Sequence, residues 1–129
     1  MNPILIAISP GELMDRISIL QLKVEHATEP SQRSAIQREL DELQTQRARC
    51  PASSELSALG EQLADVNRQL WDAEDELRLC EQRSDFGPAF VELARSIYQN
   101  NDRRCALRRE INALAGASAA DEKIYRSGP

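Results

Sequence analysis

The chain has 129 residues, of which 29% are charged and 4% aromatic, and its net charge is −5. That length fits one domain with a modest core. The acidic balance argues against a nucleic-acid or anionic-membrane surface. The lack of any run of about 18 apolar residues argues against a membrane span, and an apolar set rich in Leu, Ile and Ala suits helical stripes better than a β-sandwich.

The opening M-N-P-I-L-I-A-I-S has no basic start and no long apolar region, so it does not read as a secretory signal. Cys50, Cys80 and Cys105 contain no C-x-x-C and are expected to be free thiols in a reducing, cytoplasmic setting. The single histidine, His26, has no metal-ligand spacing around it.

Taken in order, residues 1–8 predict a short extended arm. Ser9-Pro10-Gly11-Glu12 reads as a capping box, with Ser9 and Glu12 reaching for each other's backbone N–H and Pro10 at the first helical position. That gives Glu12 a structural role. Helix one is expected over 10–27. Its stripe of Leu13, Ile17, Leu20 and Val24 is opposed by Ile19 and Leu22, so it should be buried on two sides, the second covered by the arm or by another subunit.

Helix two is expected over 31–49, with the thin stripe Ile36, Leu40 and Leu43. Ser53 or Ser54 should cap helix three, expected over 54–83. Leu56, Leu59, Leu63, Val66, Leu70, Ala73, Leu77 and Cys80 alternate spacings of three and four along it, a heptad seam. Gly60 lies off that seam, where a bend is expected. A turn at Asp85–Gly87 leads to helix four over 88–115, stopped by Gly116. The tail 117–129 offers Ile124 and Tyr125 for docking. The expectation is an all-α, elongated four-helix antiparallel bundle with coiled-coil-like hairpins, helix two with helix three and helix three with helix four.

Polar residues interrupt the apolar face of helix four. Phe90, Leu93, Ala94, Ile97 and Ile111 share that face with Asn100, Asn101, Arg104 and Arg108. Buried polar groups cost about 1–3 kcal/mol each unless paired. Residues equally far from the Asp85 turn should face each other, which sets Glu74 opposite Ile97, Tyr98 and Asn101. Two readings follow. Glu74, Tyr98, Asn101 and Arg104 form a satisfied network that fixes helix register. Alternatively, Glu74, Tyr98, Asn101, Arg104 and Arg108 line a site for a small anion or nucleotide between helices three and four, in a ligand-binding protein or an enzyme.

No catalytic residue, metal or cofactor is implied. There is no Gly-rich phosphate loop, no Ser/His/Asp or Cys/His set, and no second carboxylate matched to Glu74. Helical nucleotide pyrophosphohydrolases hold magnesium through E-x-x-E followed by E-x-x-D; Glu39-x-x-Glu42 fits the first pair, but Asp72-x-x-Asp75 departs from the second.

The motifs together resemble a bacterial family of short, uncharacterised helical proteins. They are S-P-G-E-L at Ser9–Leu13, Lys23 at the end of an apolar helix, and L-W-D-x-E-D at Leu70–Asp75. D-F-G-x-x-F-x-x-L-A-R-x-x-Y-x-x-N-D-x-R follows at Asp85–Arg104, then I-N at Ile111-Asn112 and E-K-x-Y at Glu122–Tyr125. The resemblance implies a cytoplasmic bacterial protein and carries no activity. The functional expectation is a non-enzymatic module that self-associates or binds a protein partner.

Overall fold

Ser9 starts the first helix as its sequence dictates. Its hydroxyl accepts from the Glu12 backbone N–H at 3.2 Å, and Pro10 occupies the first helical position. Glu12 does not complete the box; its carboxylate turns outward to Arg16, 3.2 Å away. In this computed structural model, which describes residues 2–116, the elements are α1 (Pro10–His26), α2 (Pro30–Arg47), α3 (Ser54–Gln82) and α4 (Pro88–Leu114), with no strand among the described residues. The bundle is all-α. The expected tail, with Ile124 and Tyr125, lies outside the described residues.

Ser53 caps α3, accepting from Leu56 N at 3.0 Å. The far end of α3 closes on Ser84, which adopts φ 53°, while Asp85 N donates to Cys80 O at 2.8 Å and Ser84 N to Glu81 O at 3.1 Å. This is a Schellman turn with serine where glycine is the usual occupant. Asp85 Oδ1 then accepts from Gly87 N at 3.2 Å, and α4 starts at Pro88.

The seam of α3 forms as its spacing predicts. Leu56, Leu63, Val66, Leu70 and Ala73 are buried, and Leu59, Leu77 and Cys80 are half-buried. It meets Leu107 and Ile111 of α4. At about 1.5 Å per residue the 29 residues of α3 are roughly 43 Å long.

One expected hairpin does not form. Among the described residues α2 makes no close backbone approach to α3; it lies against α1. Ile36, Leu40 and Leu43 pack on Leu13, Ile17, Leu20 and Val24. The three-residue link after His26 folds α2 straight back on α1, and the seam of α3 is already taken by α4. The two hairpins are therefore α1–α2 and α3–α4.

The prediction that α1 is buried on two sides is met, but neither the arm nor another subunit supplies the cover. Met14 joins the α3–α4 core, and Gly11, Asp15, Ser18 and Leu22, at spacings of four, three and four, are all buried on that side. Gly60 serves this approach: a Cβ there would collide with the Met14 methyl, 2.6 Å away. The arm instead extends from the fold, and only Ile8 is half-buried, against the α1–α2 cluster.

Candidate functional site

The polar constellation exists, but its centre is on α1. Asp15 is 2% exposed. Arg104 clamps it through Nε, 2.9 Å from Oδ1, and Nη2, 2.6 Å from Oδ2. Asn67 Nδ2 donates to Asp15 Oδ1 at 2.8 Å and to Ser18 Oγ at 2.6 Å, and Ser18 returns a bond to Asp15 O at 2.8 Å. Arg108 flanks the group, its Nη1 3.8 Å from Asp15 Oδ2 and its Nη2 4.0 Å from Glu12 Oε1. The N-terminal turn of α1 is tied to α4 by one more bond, from Gly11 N to Asn112 Oδ1 at 2.7 Å.

This network joins α1, α3 and α4 at one level. Its bonds to Asp15 hold the Arg104 guanidinium above its ordinary value, against the opposing effect of burial. Its charges are matched within the chain. Asp15 and Glu12 face Arg104 and Arg108, and Arg16 completes the cluster at the surface. A guanidinium that already holds a buried carboxylate side-on has little left to offer an external anion.

Of the five residues singled out from sequence, the structure brings Arg104 and Arg108 together. Glu74, Tyr98 and Asn101 are exposed, and none of them enters the network. The expected Glu74–Arg104 pairing is therefore replaced by Asp15–Arg104. Asn100 bonds within its own helix, to Ser96 O at 3.0 Å. Asn67 lies as far before the turn as Arg104 lies beyond it, and both reach Asp15 Oδ1. Distance from the turn sets the level of Glu74 but not the side of the seam it takes, and Glu74 faces solvent.

Asp15, Ser18 and Asn67 were missed. The signal was present, because Asp15 falls between Ile19 and Leu22 on the second apolar side of α1. A carboxylate there requires a cation opposite.

Elsewhere, Trp71 packs against His26 with ring centroids 4.7 Å apart, and its indole N–H is buried without a partner among the described residues. His26 Nδ1 lies 2.8 Å from Leu22 O, a bond that sets the imidazole's orientation. Glu39 and Glu42 are exposed, as are Asp72 and Asp75. No group of three His, Cys, Asp or Glu side chains converges on a metal-sized space among the described residues. None of the four helices is long and apolar enough to cross a membrane.

A model of a family of unknown function, DUF6165, matches residues 4–128. The chain belongs to that family. No curated protein matches this DUF6165 chain, and no solved structure does. The matched range takes in the exposed arm from Ile4 onward as well as all four helices.

Proposed function

We propose that this chain is a non-enzymatic helical module that associates with a second copy of itself. The observation that carries the reading is the arm. Ile4, Leu5 and Ile6 are 85%, 91% and 69% exposed, three large aliphatic side chains in succession left uncovered by the described residues. Single exposed apolar residues need no explanation, but a contiguous set marks a contact surface.

The α3–α4 hairpin supports the same reading. α1 runs out at His26, beside Trp71, so among the described residues the hairpin continues without a third helix. From Glu74 to Ala106 no residue is buried, and Phe86, Val91 and Tyr98 lie exposed along it. The buried network favours a structural role over a catalytic one, because Asp15 is committed to Arg104 and Asn67. A bacterial cytoplasmic setting completes the proposal, supported by the motif resemblance and by three unpaired cysteines.

Sedimentation from micromolar to submillimolar concentration tests it. The expected result is a concentration-dependent mass above that of one chain; a strict monomer throughout would sink the proposal.

A further inference from the structure

We infer that the N-terminal arm of one copy seats in a groove on the α3–α4 layer of a second copy, and that the exchange is reciprocal. The inference rests on the self-association proposed above and names the surfaces that make it.

The groove has a volume of about 580 Å³ and lies between the first turns of α3 and the last turns of α4. Ala58, Leu59, Ala113 and Leu114 line it together with Glu55, Gln62 and Glu110. Leu114 is among the exposed large apolar residues. Helical spacing turns these positions away from α1, whose contacts with the layer run through Gly60, Asn67, Arg104 and Asn112. Among the described residues the α3–α4 layer is thus covered by α1 on one face and open on the other.

The arm has the composition this groove selects. From Met1 to Gly11 no side chain is charged, and Ile4, Leu5 and Ile6 offer apolar volume that is otherwise left in water. Extended backbone projects successive side chains to opposite sides, so Ile4 and Ile6 can enter the groove together while Leu5 covers the junction between copies.

Reach decides between a chain's own groove and its neighbour's. The arm leaves the fold at Ser9 on the α1 side of the layer, and Ile8 is held against the α1–α2 cluster. Asn2–Ala7 extend free of it, and the four residues from Ile8 back to Ile4 span roughly 14 Å when extended. A helix with its side chains is about 10–12 Å across, so passing halfway round α4 takes roughly 16–19 Å, more than that reach. An arm that wrapped its own α4 would arrive with nothing left to fill the groove. Across a two-fold axis the path is direct. Arm and groove lie at the same end of the molecule, with Gly11 against Arg108 and Asn112, one turn from Ala113 and Leu114. One rotation therefore satisfies both contacts and closes the assembly.

The test uses the full chain, a form lacking residues 2–7, and Ala113→Arg, which fills the groove from an exposed position. The deletion spares Ser9 and Ile8, and circular dichroism confirms that both variants remain helical. Each variant alone should need about tenfold or more higher concentration than wild type to associate. An equimolar mixture of the two should recover a one-to-one complex, because the deleted chain still offers a groove and the blocked chain still offers an arm. Wild-type-like association of the deleted form would overturn the arm exchange while leaving self-association standing. A mixture no tighter than either variant alone would also overturn it. If removing residues 117–129 abolishes association and removing 2–7 does not, the groove belongs to that segment and the exchange is wrong. A strictly monomeric wild type would remove both proposals together.

Discussion

Arg104 holds Asp15 side-on, its Nε and Nη2 reaching the two carboxylate oxygens at 2.9 and 2.6 Å across 89 positions of sequence. The pair fixes where α1 sits along α4. Cutting it from the arginine side leaves a buried carboxylate with Asn67 as its principal remaining donor. Arg104→Met should therefore destabilise the fold by roughly 3–5 kcal/mol in a denaturant melt. Adding Asp15→Leu should recover most of the loss, because Asn67 keeps Ser18 as its acceptor. Glu74→Leu, made on the same background, should recover nothing. Rescue by Glu74→Leu instead would mean that the solution structure pairs different residues.

Gly11 sits where α1 meets α4 most closely. A Cβ there would stand well inside van der Waals contact distance of the Arg108 carbonyl oxygen and 2.9 Å from Asn112 Oδ1. Alanine is the better helix former by about 1 kcal/mol, yet backbone oxygen cannot move aside as a flexible side chain can. Gly11→Ala should cost about 1–3 kcal/mol, the usual range for overpacking. A neutral or stabilising result in thermal unfolding would show that the helices can separate there without penalty.

Ser84 carries φ 53° at the end of α3. The left-handed region costs a residue with a Cβ roughly 1–2 kcal/mol, and glycine is free of that cost. Since the Ser84 backbone already makes the Schellman bonds, Ser84→Gly should raise stability by about 1 kcal/mol without altering the fold. An unchanged or lower melting temperature would count against this turn geometry.

Glu25 and Arg68 form an exposed two-pronged pair between α1 and α3, at 3.1 and 3.2 Å. The hydrogen bonds from Arg68 hold the Glu25 carboxyl below its ordinary value. A lowered folded value means that the pair's contribution is present above the ordinary glutamate range, roughly 4.3, and is lost as pH falls through the folded value. Wild type and Glu25→Gln should accordingly converge in stability on acidification. Carboxyl-carbon NMR should also show the Glu25 titration move upward in Arg68→Ala; no movement would contradict the assignment.

Sequence by itself determined the helical class, because a three-and-four alternation sustained from Leu56 to Cys80 has only one regular structure that buries it. It determined the helix starts at Pro10 and Ser54, because hydroxyl caps and an N-terminal proline act within a single turn of chain. It also marked Arg104 and Arg108, since cations on an apolar stripe must find partners. Only the tertiary structure decided who those partners are. Turn geometry sets which residues of a hairpin lie level with one another, but not what a third helix brings to its face. α1 docks on that face, so Asp15 replaced Glu74 and Asn67 entered the network. The same docking took α2 away from α3 and, among the described residues, left the far face of the α3–α4 layer open. These outcomes depend on competition among apolar stripes distant in sequence, and no local pattern records which stripe wins.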